Sequence, residues 1–214
     1  MKFFKFTFLG AIALVLTISG CDNESIEPIE PIEENVADVL EINTTDTDGL
    51  VFMREEEKLA RDAYISLFEM YDNQVFNNIS NSEQRHMDEV LILLNTYQIN
   101  DPSFEEVGKF SNETLQQLYD DLMAQGSISE IDALIVGATI EDVDIRDLDL
   151  FIAKTTNADI IKVYDFLNCG SRNHLRAFTS RLKDLGVTYT PQFISQEQFD
   201  SIVNGEKEKC GQNL

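Results

Sequence analysis

Glutamate and histidine side chains fall on the apolar stripes of the helices that the sequence predicts. Residues 82–87 read SEQRHM, so Glu83 stands three positions before His86, one of only two histidines in the chain. At helical spacing both residues share a face with Ile79 and Val90, which should point toward the core. In each of three other predicted helices a single ionisable residue likewise lies on the apolar stripe. These residues are Glu57, Glu141 and His174.

Carboxylates on core stripes need a compensating charge. A single buried carboxylate carries a large desolvation cost unless it is paired or takes up a proton. If the four stripes meet at one level of a helical bundle, a pair of metal ions would neutralise the carboxylates together. Carboxylates bind hard metal ions, and imidazole is a suitable further ligand for iron or manganese. The pattern therefore predicts a metal centre formed by Glu57, Glu83, His86, Glu141 and His174.

Other interpretations of the same residues stay open at this point. Glu57 could form a buried salt bridge with Arg61, and Glu83 could form one with Arg85. The histidines could be core residues satisfied by hydrogen bonds, in a bundle that holds no metal.

The five predicted ligands are one fewer than the six of a ferritin-like di-iron site. Ferritin-like di-iron sites take one glutamate from each of two helices and a Glu-x-x-His pair from each of the other two. His174 matches the second histidine, but Ser171 stands where the pattern has the second paired glutamate. Either Asp144, one turn beyond Glu141, or a water molecule held by Ser171 could fill the gap.

Four further residues near these positions have simpler interpretations. Tyr64 and Tyr164 lie on core stripes and are predicted to be packing residues, with contact to the site or its redox chemistry as the alternative. Arg172 and Arg176 flank His174 and are predicted to form salt bridges with the acidic surface, with orientation of the site's carboxylates as the alternative.

Helical periodicity and breaker residues divide the chain into regions. Long helices are predicted over 50–72, 76–98, 130–154 and 157–184, with short helices over 113–125 and 196–203. No alternation typical of strands is present, so the predicted fold is all-α. Four long helices with an extra short helix between the second and third favour a ferritin-like four-helix bundle with a long crossover. The bundle is assigned to 49–190 and a C-terminal tail to 191–214.

The N-terminal region has the features of an export signal. Residues 1–20 carry Lys2 and Lys5 followed by an apolar run, and are too short for an ordinary membrane span. The sequence Ile18-Ser19-Gly20-Cys21 resembles the lipobox of bacterial lipoproteins, which implies cleavage before Cys21 and a lipid on that residue. Residues 21–48 are acidic, contain the repeat IEPIEP and are predicted to be a linker. We therefore expect a lipid-anchored protein of the cell envelope, outside the cytoplasm.

The net charge excludes one class of binding partner, and the cysteines allow one disulfide. The 214 residues carry a formal net charge of -23, which argues against nucleic-acid binding because that function needs a basic surface. In an oxidising compartment Cys169 and Cys210 could form a disulfide, but an unpaired Cys169 half buried in a helix is an equal alternative.

Several motifs together resemble a known family. Residues 57–64, EKLARDAY, resemble the first-helix motif Glu-x-x-Ala-Arg-x-x-Tyr of rubrerythrins. With SEQRHM (82–87), VGATIEDVDI (136–145) and GSRNHLRAF (170–178), the chain is similar to the DUF2202 family of ferritin-like proteins over roughly residues 50–191. The resemblance implies a bundle with two iron ions, or manganese in their place. The chain has no CxxC pair for a rubredoxin-type module, so an enzyme of this kind would need an external electron donor.

Two classes of function follow from these expectations. The first is a di-iron oxidoreductase of the peroxidase or ferroxidase type, acting on oxygen, hydrogen peroxide or ferrous iron. The second is a metal-binding or structural interaction module without catalysis. A protein of either class could assemble as a homodimer.

Overall fold

Six α-helices make up the described part of the chain, residues 42–211 of a computed structural model. No strand occurs in this range, so the all-α prediction is confirmed for it. The helices are α1 (Thr44–Tyr71), α2 (Gln74–Thr96), α3 (Glu113–Gly126), α4 (Glu130–Ile152), α5 (Ala158–Asp184) and α6 (Gln196–Asn204). The predicted signal segment 1–20, the lipidation site Cys21 and most of the linker 21–48 lie outside the described residues. Among the six helices, none has the length and apolarity needed to cross a membrane.

Each helix begins at an asparagine or serine whose side-chain oxygen accepts a hydrogen bond from a backbone N–H of the first turn. These residues are Asn43, Asn73, Asn112, Ser129, Asn157 and Ser195. Such N-caps satisfy donors that have no partner within the helix. They place the starts of α2 to α6 within two residues of the predicted positions.

The start of α1 differs from the prediction. The helix begins at Thr44, so residues 44–48 are helical rather than part of the linker. Asn43 Oδ1 accepts the N–H of Asp46 at 2.9 Å, and Asp46 is itself buried. The acidic composition of this segment suggested a linker, but the N-cap and the burial of its first turn extend the helix.

The long helices pack in two pairs. α1 lies along α2, and α4 lies along α5; the pairs meet through contacts of α1 with α4 and of α2 with α5. α3, in the connection between α2 and α4, packs against both α1 and α4.

The middle of α1 is buried on every side because α3 and the segment before it cover its outer face. Glu55 accepts the backbone N–H groups of Ser111 and Asn112 at 2.6 and 2.9 Å, at the beginning of α3. Lys58 is fully buried and pairs with Asp62. These contacts hold α1 in one orientation about its own axis. In that orientation Glu57 points away from α3.

Two apolar clusters lie at different levels of the helices, with polar residues between them. Along α1, Met53 belongs to one cluster and Ala60 to the other, and Glu57 lies between the two. The same order holds along α2, where Glu83 and His86 separate the clusters. The segment predicted as a tail contributes α6, which packs on the second cluster with Phe199. The fold thus encloses one polar layer between two hydrophobic layers.

Candidate metal centre

The five residues predicted as ligands meet in the polar layer, on four different helices. Glu57, Glu83, His86 and Glu141 are each 1% exposed, and His174 is 9% exposed. α1 supplies Glu57, α2 supplies Glu83 and His86, α4 supplies Glu141, and α5 supplies His174. The helical pairing therefore brings together residues that are up to 117 positions apart in the sequence.

Glu83 stands between the two histidines. Its Oε2 lies 2.7 Å from His86 Nδ1, and its Oε1 lies 2.8 Å from His174 Nδ1. On the outer sides, His86 Nδ1 is 3.1 Å from Glu57 Oε2, and His174 Nδ1 is 3.5 Å from Glu141 Oε2. The imidazole rings lie 5.6 Å apart between centroids.

The donor atoms form two groups that share Glu83. One group is Glu57, Glu83 and His86, and the other is Glu83, Glu141 and His174; within each, the ligand atoms lie within 4.8 Å of one another. Two metal ions bridged by one carboxylate would use this arrangement.

Several buried atoms of the site converge without forming hydrogen bonds. Within residues 42–211, Glu57 Oε1, Glu83 Oε1, Asp144 Oδ1 and His174 Nδ1 have no hydrogen-bond partner. Glu83 Oε1 and His174 Nδ1 are close, yet they are not aligned for a hydrogen bond. Buried polar atoms are rarely left unsatisfied in folded proteins unless an ion or water completes them. The residues present therefore fit a metal site.

Asp144 is held by a hydrogen bond from Ser171. Both residues are buried, and the Ser171 hydroxyl donates a hydrogen bond to Asp144 Oδ2. This leaves Asp144 Oδ1 free of any hydrogen bond within the described range. The serine that replaces the expected glutamate on α5 thus holds a carboxylate that extends from α4.

Comparison with known proteins gives the family. A family model for the "Uncharacterized protein domain (DUF2202)" matches residues 46–206. The chain belongs to the DUF2202 family. This confirms the family resemblance noted in the sequence. The DUF2202 match covers all five predicted ligands and Asp144.

One relative of this DUF2202 chain has a solved structure. "Uncharacterized protein MJ0754" of Methanocaldococcus jannaschii is 50% identical over 169 residues, which are 78% of this chain and 91% of the relative. A crystal structure of hypothetical protein MJ0754 from Methanococcus jannaschii matches with a TM-score of 0.77, covering 78% of this chain and 97% of that one.

The arginines near the two glutamates have other partners in this DUF2202 domain. Arg61 pairs with Asp62 and donates to Gln84 Oε1 at 2.7 Å. Arg85 is exposed and contacts Ser82 Oγ at 3.4 Å. Neither arginine neutralises a glutamate of the site, so the salt-bridge alternative is wrong.

Burial and mutual contacts shift the pKa values of the site in opposite directions. Burial raises the pKa of Glu57 to about 7, with only partial opposition from His86. Burial alone would also raise the pKa of Glu83. The neighbouring His174 and His86 instead hold the pKa of that carboxyl well below its usual range. Burial disfavours the charged form of His174, yet Glu83 and Glu141 raise its pKa to about 10. Burial disfavours the charged form of His86 as well, but Glu57 and Glu83 raise its pKa above the usual value. These contacts therefore favour the charged forms of Glu83 and of both histidines.

Burial also raises the pKa of Asp144, and the charges of Glu57 and Glu141 raise it further. The charges of a ligand on α1 and of another on α4 therefore both act on this carboxyl.

Two further buried residues adjoin predicted ligands, Tyr64 in space and Glu56 in sequence. Packing was the preferred interpretation of Tyr64, with contact to the site as the alternative. The Tyr64 hydroxyl donates to Glu141 Oε1 at 2.5 Å, so this tyrosine orients a predicted ligand as well as packing. Tyr64 is the tyrosine of the rubrerythrin-like motif, and that resemblance was the sequence signal for a role at the site. Glu56 is 2% exposed and neither of its carboxylate oxygens has a hydrogen-bond partner among the described residues. No sequence signal separates Glu56 from its neighbours in a run of three glutamates.

Residues of α5 beside the site hold the C-terminal segment. Cys169 and Cys210 form a disulfide with a Cα–Cα distance of 5.7 Å. Arg172 and Arg176 both form salt bridges with Glu208, at 2.5 and 2.9 Å. The segment that contains Glu208 is thereby fixed along the outer face of α5.

Proposed function

We propose that this DUF2202 protein is a ferritin-like di-metal protein, with two iron ions, or manganese in their place, held among α1, α2, α4 and α5. The observation that supports it most is the position of Glu83, whose two oxygens each face the Nδ1 atom of a different histidine. Glu57 and His86 would hold one ion, and Glu141 and His174 the other. Asp144 would supply the ligand that Ser171 cannot.

Metal analysis tests the proposal. The full chain, purified after iron loading, should retain two ions, and His86→Ala should lose at least one of them. The matched control is Asn173→Ala, which removes a polar α5 side chain next to His174 without removing a ligand. A chain that stays free of iron and manganese under loading, or a His86→Ala variant with unchanged metal content, contradicts the proposal.

The activity that fits this centre best is oxidation or reduction of a small oxygen species. Two reduced ions held by these residues would provide the two electrons that reduction of hydrogen peroxide to water requires, which suits a peroxidase or ferroxidase-type oxidoreductase. The chain's own residues orient the ligands: Tyr64 donates to Glu141, and Ser171 donates to Asp144. Electrons would come from an external donor, and the lipid anchor at Cys21 would place the reaction in the cell envelope.

Deep burial of the ligands favours a second candidate, a metal-binding module without turnover. Glu57, Glu83 and Glu141 are each 1% exposed, which restricts access for a substrate. Stopped-flow mixing of the ferrous protein with peroxide separates the two candidates. Rapid oxidation followed by repeated turnover with a reductant supports the enzyme, and stable ferrous protein supports the module.

A further inference from the structure

An open groove of about 680 Å³ runs between α2 and α5 and reaches the outer edges of both histidines. His86, Gly170 and His174 line it together with polar and apolar residues of the two helices. The side chain of His174 is 11% exposed, against 2% for His86. His174 is therefore the part of the site that a ligand in the groove would meet.

The histidines direct different ring atoms to the site and to the groove. Both Nδ1 atoms face the carboxylates. A Cβ atom at Gly170, which lines the groove, would lie 2.4 Å from His86 Nε2 and 3.7 Å from His174 Cε1, the atom between the two ring nitrogens. Neither Nε2 atom forms a hydrogen bond with a protein atom among residues 42–211. Metal-binding histidines almost always donate their second ring N–H to a carboxylate, a carbonyl or a water molecule. The groove is where such an acceptor for His174 would lie.

Positive side chains collect at this groove, although the chain has a net charge of -23. Arg85, Arg181 and Lys207 line it, and none of them forms a salt bridge within the described residues. Of the two lining carboxylates, Glu208 is already paired with arginines of α5, which leaves Asp184. Unpaired cations around a concave surface attract anions even when the remaining surface is acidic.

The groove also has an apolar wall formed by Val75, Ile79, Phe166 and Ala177. Its volume falls within the range of small-molecule sites and exceeds what an inorganic ion needs. We propose that this groove binds a small organic anion, whose carboxylate or phosphate group is held by the arginine and lysine side chains of the groove, with an acceptor atom facing the outer N–H of His174. The apolar wall would pack against the body of the molecule.

This binding site goes beyond the proposed metal centre and can be tested without metal. Because the chain contains only two histidines, the ring nitrogen signals in an NMR spectrum come from His86 and His174 alone. The full chain is titrated with sodium benzoate and, separately, with inorganic phosphate; sodium chloride controls for ionic strength. The titrations are repeated with zinc-loaded protein, so that a failure to bind metal is seen independently of a failure to bind the anion.

We expect a saturable shift of the His174 signals with benzoate, and a smaller or absent one with phosphate, which lacks the apolar body. Arg181→Gln and Lys207→Gln should each weaken binding about fivefold, the upper range for one exposed ion pair. Lys183→Gln is the matched control, because Lys183 is an exposed α5 residue outside the groove. The proposal is overturned if neither probe shifts the signals beyond the chloride control, or if Lys183→Gln weakens binding as much as Arg181→Gln.

Discussion

Replacing Gly170 with alanine is expected to disturb the proposed metal centre through His86. The added Cβ would lie 2.4 Å from His86 Nε2, about 1 Å inside ordinary contact. His86 Nδ1 lies 2.7 Å from Glu83 and 3.1 Å from Glu57, so a ring displacement of about 1 Å takes it out of range of both. Overpacking costs about 1–3 kcal/mol, and alanine recovers about 1 kcal/mol over glycine in a helix. The free energy of unfolding should therefore fall by about 0–2 kcal/mol, with loss of one of the two bound ions.

Gly137→Ala is the matched control for this experiment. Its Cβ would lie 2.4 Å from Phe178 Cε1, an equally close approach to an aromatic ring that is not a ligand. Urea denaturation of the two metal-free variants should show similar losses, while metal titration should show two ions in Gly137→Ala and fewer in Gly170→Ala. Equal metal content in the two variants would refute the assignment of His86 as a ligand.

Three further changes have defined outcomes. Tyr64→Phe removes the hydroxyl that donates to Glu141, and should lower the unfolding free energy of the metal-free chain by about 1–3 kcal/mol in urea denaturation; an unchanged midpoint speaks against that hydrogen bond. Ser171→Ala frees Asp144, and should weaken binding of the second ion about tenfold in a manganese titration; unchanged affinity removes Asp144 from the site. Burial raises the pKa of Glu57 from 4.5 to about 7, so the folded chain binds this proton more tightly than the unfolded chain. The stability of the metal-free protein should therefore decrease between pH 4.5 and 7, by about 3 kcal/mol from this group, whereas thermal unfolding of the metal-loaded protein should show no such decrease because metal binding favours the deprotonated carboxylate.

The helices and most of the site could be predicted because their signals are local. Asparagine and serine N-caps mark the helix starts, and an ionisable residue on an apolar stripe is visible in the sequence at Glu57, Glu83 and Glu141. The helical pairing then brings these residues together at one level of the four long helices.

The parts that were missed depend on contacts between distant segments. Helix α1 is buried all round its middle, so a one-sided stripe does not distinguish Glu55, which receives N–H groups at the start of α3, from Glu56 and Glu57. The hydrogen bond between Ser171 and Asp144 crosses from α5 to α4, and spacing along one helix carries no information about it. The same limit applies to the groove, whose wall includes Lys207 from beyond α6.

Anomalous X-ray diffraction from crystals of the iron-loaded full chain tests the central proposal most directly. Data collected on both sides of the iron absorption edge should show two peaks, one among Glu57, Glu83 and His86 and the other among Glu83, Glu141 and His174. A map with no peak among these residues in iron-loaded crystals would contradict the di-metal centre, and a single peak would contradict the role of Glu83 as a bridge.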